Sequence, residues 1–415
     1  MAEQNPHREL QKNRLKRQII SGEETQQREA RPGIRLSKKG LLAALIVLLL
    51  VIAGIAVYLM QKNSTAYTTV WKKDLGADGQ QTESFQGYLS FGSGMLRYSK
   101  DGAAYYDESG KAIWERSYQM NEPVAAVSKE YAVIADQGGN SIYIFSRSAN
   151  TGVASTVLPV TKAVAADTGV VYAILRDKSA EYITAFNYDG SPIDLSVKSV
   201  ITGDGYPLDL SVSPDGTQLI TSYVSIENGS LTNKVIFRNF GEVGQNADAR
   251  RIVGGFSDEF AGHLVGRVHF SSDTAAQAFY DGGIAFFSTK VLTSPELLAN
   301  VQLEQHMRSI ACGERYVAVI LEQTEGDVPY LLQIYDMSGK KRGEAGISYA
   351  YTSLEVAGSR ILLYGSDSIH IYRPNGTERA ALDATELQPR KVVQTKLPWE
   401  YLVAGGTSLE RIRLQ

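Results

Sequence analysis

Two patterns of apolar and polar positions divide the chain. Residues 41–60, bounded by Leu41 and Met60, read LLAALIVLLLVIAGIAVYLM, twenty positions with no charge and no proline. At about 1.5 Å per residue a helix of that length is about 30 Å long, the thickness of a bilayer's hydrocarbon core. A buried core helix would carry a polar stripe at helical spacing, and this run has none, so the pattern predicts one transmembrane α-helix. From Tyr67 onward the apolar runs are short, rich in Val, Ile, Tyr and Phe, and broken by Gly, Asp, Asn and Ser. That pattern predicts an all-β domain over residues 67–415.

The strand pattern repeats. A strand ending on an aromatic, a polar turn that usually contains Gly, and a further strand recur in AYYDESGKAIWERS, YIFSRSANTGVAST, TAFNYDGSPIDLSV, VIFRNFGEV, IAFFSTKVLTS, QIYDMSGKKRGEA and HIYRPNGTERAAL. The aromatic anchors Tyr106, Phe145, Phe186, Phe237, Phe287, Tyr335 and Tyr372 are 39, 41, 51, 50, 48 and 37 residues apart, a period that belongs to propeller blades of four strands. In the last complete unit, residues 353–357, 360–365 and 368–373 read as the first three strands. After Tyr372 the pattern starts again, places Ile412 forty residues on, and stops before a fourth strand. Residues 67–75 (YTTVWKKDL) look like the fourth strand KAIWERS but have no first three before them. The two incomplete pieces fit as one blade whose pairing closes the ring and removes the exposed edges of an open stack. The expectation is an eight-bladed β-propeller of about 44 residues per blade, with a seven-bladed ring as the alternative because three spacings are long.

Charge sets the orientation. Residues 1–40 hold ten Lys or Arg against five Glu, about +5, so the remainder of a chain with net charge -3 is about -8. Arg31, Arg35, Lys38 and Lys39 flank the apolar run on one side and only Lys62 lies close on the other. The positive-inside rule therefore places the tail, residues 1–40, in the cytoplasm, and puts the linker 61–66 and the propeller outside a cell membrane that the chain crosses once. The tail reads as a disordered topogenic segment. A short amphipathic helix through Leu10, Leu15, Ile19 and Ile20 on anionic lipid is the alternative, each basic residue contributing roughly 1 kcal/mol. Ser64 and Ala66 make a weak small-x-small cleavage site, but the apolar run exceeds the about 7 to 15 residues of a signal-peptide core. An exported domain with a single cysteine does not rely on disulfides, which suits a bacterial envelope; the Asn-x-Ser/Thr matches at Asn63, Asn228 and Asn375 are then coincidental.

Two local matches connect the repeats to known families. LSVSPDGTQLITSY, residues 210–223, resembles the Ser-Pro-Asp-Gly hairpin of WD40-like propellers of the TolB class, with Pro214, Asp215 and Gly216 setting the turn. YYDESGKAIWE, residues 105–115, resembles the outer hairpin of the quinoprotein-type repeat, which implies that Trp114 docks against the neighbouring blade. The whole arrangement of basic tail, single span and cysteine-poor propeller is similar to a domain-of-unknown-function family of membrane-anchored propeller proteins from Gram-positive bacteria. These resemblances mark a fold and carry no catalytic motif.

Candidate chemistry is sparse. The single cysteine, Cys312, excludes a disulfide framework, a multi-cysteine zinc or iron–sulfur site and covalent haem, and the charge of -3 excludes a generally basic nucleic-acid binder. Of the five histidines, His7, His263, His269, His306 and His370, only His263 and His269 are close, at a spacing of six that fits neither a helical pair nor adjacent ligands on a strand. Asp101, Asp107 and Glu108 lack the order of a calcium loop and read as solvated turns. The quinone-cofactor dehydrogenases that the repeat resembles carry an adjacent cysteine pair and a calcium site; Cys312 has no partner, so no cofactor is expected. Cys312 lies in RSIACGERYVAVI, where a buried thiol acts as a small hydrophobe. Nucleophile-elbow and phosphate-loop motifs are missing.

Binding is better supported. The loops from the fourth strand of one blade to the first of the next surround one mouth of a propeller, and here they include SYQMNEP, TGDGYP, GGFSDEFAGH and SYAYT. Their aromatics Tyr118, Tyr206, Phe256, Phe260, Tyr349 and Tyr351 are the candidate partner-binding residues, with packing between blades as the alternative role. The expected function is a non-enzymatic docking platform for a protein or a cell-wall polymer. The alternatives are a ligand sensor and a glycan hydrolase or lyase using Asp258 and Glu259, although adjacent carboxylates on an extended segment point to opposite faces.

Overall fold

Among the described residues, thirty-two strands form eight antiparallel sheets of four, the eight-bladed propeller expected from the repeat. The computed structural model describes residues 10–17, 42, 44–52, 54, 63–75, 86–148, 150–227, 229–247 and 249–415. It comprises two units, residues 1–60 and 61–415. In the first, residues 10–17, 42, 44–52 and 54 are helical, and the consecutive side chains from Leu45 to Ile52 are all exposed. No helix among the described residues is long and apolar enough to cross a membrane. Leu41, Ala43, Ala53 and residues 55–60, which complete the expected span, lie outside the described residues, as do most of the tail 1–40 and residues 61–62 of the linker.

In the second unit, seven blades are built from consecutive strands: residues 86–117, 123–155, 160–200, 206–256, 265–302, 307–347 and 353–383. Blade 8 takes Lys391–Gln394, Glu400–Ala404 and Ser408–Leu414 from the end of the chain and Tyr67–Asp74 from its beginning. The closing strand runs antiparallel to Ser408–Leu414, from Tyr67 opposite Leu414 to Asp74 opposite Ser408, with one bulge between Thr69 and Trp71. Just before it, Ser64 makes a parallel bridge to Ala380 on the outermost strand of blade 7: Ser64 N donates to Arg379 O at 2.9 Å and Ala381 N to Ser64 O at 3.1 Å. The small-x-small site at Ser64 is thus built into the sheet, with Ser64 buried.

The apolar runs follow from burial on both faces of each inner sheet. In Arg360–Tyr364, Leu362 and Tyr364 pack towards blade 8 while Ile361 and Leu363 pack towards blade 6, all four buried. Blade 2 does the same, with Ala132 and Ile134 on blade 1 and Val133 and Ala135 on blade 3. All seven aromatic anchors are buried, and Ile412 occupies the same place in blade 8.

The turn after each anchor explains the repeated glycine. In all seven blades whose third and fourth strands are consecutive, that pair carries a bulge, at the anchor in six and one residue before it in blade 3. Where the turn reads Asp-x-Ser-Gly, the aspartate caps it: Asp107 Oδ1 accepts from Ser109 N at 2.8 Å and Lys111 N at 3.0 Å, and Asp336 Oδ1 from Ser338 N at 2.9 Å and Lys340 N at 3.1 Å. Gly110 and Gly339 then take φ of 80° and 81°, the left-handed region that favours glycine. The three long spacings have local causes. Blade 4 has ten-residue strands, Gln218–Glu227 and Ser230–Asn239, and a short helix at Glu242–Gln245, while blade 5 lengthens the turn after Ser288.

Candidate functional site

The first strand of each blade lies innermost, and neighbouring first strands bond to one another around the axis. Val268 N donates to Asp209 Oδ2 at 2.8 Å and Phe270 N to Ser211 Oγ at 3.0 Å, joining blades 4 and 5. Side chains at alternate positions of these strands line a central channel. One end, at the turns leaving the first strands, is a cavity of about 610 Å³ whose lining includes Ser90, Arg267, Cys312, Glu355 and Lys391. The other end is a cavity of about 390 Å³, and the two share Ile310, Leu354, Glu355 and Lys391.

The channel is charged, with cations in the majority. Lys162 pairs with Asp209, and Lys391 Nζ lies 2.8 Å from Glu355 Oε1. Glu355 also accepts from Ser90 Oγ at 3.2 Å and from the Tyr364 hydroxyl, so this carboxylate ties blades 1, 7 and 8 together. Burial, with Arg267 adding repulsion, draws the Lys162 ammonium down to about 8, a shift that its Asp209 partner opposes. His269, on the same strand as Arg267, is pushed down to about 4 by burial and by the Arg267 and Lys162 charges, so its imidazole is neutral at pH 7. Cys312, half-buried by its surface yet surrounded by protein, has its thiol raised to about 11 by burial; it is a free, unreactive thiol on an inner strand. Among the described residues no three His, Cys, Asp or Glu gather as a metal ligand set.

The six aromatics of the mouth do not form a single exposed ring. Phe260 is fully buried, edge-on to Tyr280 at 5.4 Å, and Tyr118 is buried against Tyr143 at 5.0 Å. Phe256 is the last residue of its strand, half-buried between Phe237 and Phe287. Tyr349 stacks on His370 with ring centres 3.5 Å apart and shares a 2.8 Å hydrogen bond with the Tyr372 hydroxyl. Burial, followed by that hydroxyl, raises its phenol well above 10, so it stays neutral. Tyr351 shares a 2.9 Å hydrogen bond with Ser309 Oγ and stands edge-on to Tyr330, and Tyr206 carries the Arg176 guanidinium over its ring at 5.4 Å. Phe260 and Tyr118 are inter-blade packing, because a short loop that crosses between blades drops its aromatic into the seam it spans. Asp258 and Glu259 precede Phe260 on the three-residue turn Asp258–Phe260, where Ser257 Oγ donates to Asp258 Oδ1 at 3.4 Å.

A feature of the same face was not singled out in the sequence. Tyr206 opens the first strand of blade 4 opposite Val224, yet the second strand continues to Glu227 and the third begins at Ser230. The hairpin overhangs the mouth, and its side chains Ile226 and Leu231 are 76% and 51% exposed.

The model of DUF5711, a family of unknown function, matches residues 60–414. The chain belongs to that family. No protein of curated function matches the sequence. The fold is similar to Sqt1 from Chaetomium thermophilum, at 13% identity and a TM-score of 0.53, covering 85% of this chain and 99% of that one. A structure described as the eukaryotic initiation factor is similar at 12% identity and a TM-score of 0.51, covering 81% of this chain and 87% of that one. BamB from Moraxella catarrhalis is similar at 12% identity and a TM-score of 0.48, covering 84% and 100%. At such identities the likeness is one of fold.

The resemblances in sequence hold locally. Trp114 stacks on Phe145 of blade 2 with ring centres 4.5 Å apart and donates from Nε1 to Ser146 O at 3.0 Å, docking against the neighbouring blade. The Ser213 to Gly216 turn joins the first two strands of blade 4, with Gly216 at φ 80°. The channel residues Lys162, Asp209, Arg267, Glu355 and Lys391 were missed, and His269 was weighed only as a metal ligand. Their signal is a charge inside an otherwise apolar first strand, as in VTKAVA, SLEVA and KVVQ.

Proposed function

We propose that this protein is a single-pass membrane protein of the bacterial cell envelope, with its tail in the cytoplasm and its propeller outside, and that the propeller is a non-enzymatic docking platform for a protein partner. The uncharged run 41–60 and the basic excess before it support the anchor and its orientation. The overhanging hairpin carries the docking reading. Ile226 and Leu231 hold large apolar side chains in water at the mouth of a rigid ring, the arrangement of an interaction surface. The half-buried Tyr206 and Tyr351 lie on the same face and extend it. A cell-wall polymer would instead be held by polar and aromatic groups of the mouth.

Replacing Ile226 and Leu231 together by Ser in the full chain tests this. Crosslinking in cells followed by mass spectrometry should recover a protein partner with the parent chain and lose it with the variant, while thermal stability stays unchanged because both side chains are already exposed. Capture of the same partner by both chains overturns the docking reading, and recovery of glycan alone replaces the protein by a polymer.

A further inference from the structure

The unbalanced charge of the channel is Arg267. Lys162 and Lys391 each have a carboxylate partner, whereas Arg267 has no carboxylate within ion-pair distance among the described residues. Its one hydrogen bond runs from Nη1 to Ile310 O at 3.4 Å, at the limit of a useful contact. The side chain is exposed to the channel and borders both the 610 Å³ cavity and a second one of about 310 Å³ lined by Leu264, Tyr280, Asp281 and His306. A guanidinium offers a planar fork of donors matched to oxyanions, and a narrow space with a net positive charge concentrates anions. The surrounding domain is net negative, so the attraction is local to the channel.

We propose that the central channel binds a phosphate group, held by Arg267 as its principal ligand. Lys162 and Lys391 stand on other inner strands and are balanced one for one by Asp209 and Glu355, so the surplus is the single charge of Arg267, which one phosphodiester of charge -1 neutralises while its two free oxygens match the guanidinium fork. The 610 Å³ cavity is far larger than the phosphate itself, leaving room for the organic part of an ester. The site does not depend on the docking surface, because Ile226 and Leu231 line neither cavity.

His269 provides the reporter. It lies two residues from Arg267 on the same face of the strand, and burial together with Arg267 and Lys162 holds its imidazole down to about 4. A bound phosphate neutralises the surplus positive charge of its surroundings and must raise that midpoint.

The experiment follows the His269 ring resonances of the full chain in detergent across pH, with and without inorganic phosphate, and repeats the titration with a glycerol-phosphate oligomer. The expected result is an upward shift of the His269 midpoint by about one unit or more. Binding of inorganic phosphate identifies a free anion as sufficient, whereas binding of the oligomer alone identifies a phosphodiester chain. The R267Q variant should bind at least about tenfold more weakly, the loss of a charge-assisted hydrogen bond, with R267K intermediate. If R267Q does not fold, R267K and the parent chain still decide the matter. An unmoved His269 midpoint with both probes, or equal affinity of the parent and the Arg267 variants, overturns the proposal.

Discussion

Glu400 anchors Arg411, the side chain that ties the closing blade to blade 1, and its replacement by Gln tests how the ring is held. Its carboxylate is 1% exposed, and two guanidinium groups fork onto it. Arg411 reaches it through Nε at 2.6 Å and Nη2 at 2.5 Å, and Arg413 through Nε at 2.7 Å and Nη2 at 2.6 Å. Arg411, 17% exposed, also donates from Nη1 to Glu108 O of blade 1 at 3.2 Å. Arg413 is 53% exposed, so water screens its share to under about 1 kcal/mol. Breaking a buried pair from one side costs about 3–5 kcal/mol, and because Gln keeps one acceptor oxygen the lower end applies, about 3 kcal/mol. Urea unfolding of residues 61–415, followed by near-ultraviolet circular dichroism, reads this out. With a slope of about 3 kcal/mol per molar the midpoint falls by about 1 M. The double change Glu400→Leu with Arg411→Met should recover part of the loss, since an apolar pair of similar volume leaves no buried charge orphaned and the remaining Arg413, 53% exposed, is hydrated. A cost for Glu400→Gln below about 1 kcal/mol, or a double variant equal to the sum of the singles, refutes the reasoning.

Two further outcomes are expected. Removing residues 67–75 should expose the Ser408–Leu414 edge, lower the melting temperature and promote self-association, whereas removing residues 1–60 should leave the melting temperature in place; equal melting of the two truncations contradicts closure by this strand. In intact cells an impermeant thiol reagent should label a cysteine placed at exposed Thr65 but not one at Ser21, and the reverse pattern contradicts the proposed orientation.

The blade count was legible because two physical demands recur in every blade. Strands buried on both faces must be apolar at successive positions, as in Arg360–Tyr364, and the tight turn after the anchor needs a residue such as Gly110 or Gly339 at positive φ. The mouth was read less well. An aromatic in a loop looks the same in sequence whether the loop bends outward or lies in a seam, so fully buried Phe260 and half-buried Tyr351 were grouped together. Ile226 and Leu231 were hidden for the converse reason: apolar alternation in a strand reads as core, and only the three-residue overhang beyond Tyr206 puts them in water. The channel charges depend on which strand lies innermost, which is a property of the closed ring.

The order in which the closing strands leave the ribosome also matters. Thr69 and Glu410, which share a hydrogen bond across the seam, are 341 residues apart, so at about 5–20 residues per second the first strand waits roughly 20 to 70 s for its partner. Each intervening blade can assemble from neighbouring hairpins as it emerges, with short loops to close. The final event is different in kind, a single long-range pairing that a chain cut short at its C-terminus can never make. Such a chain keeps an open arc with a bare sheet edge and an unmatched leading strand, the features that proteases and chaperones recognise. Closure by the first strand therefore works as a check on completeness: only a chain with both ends intact escapes that surveillance.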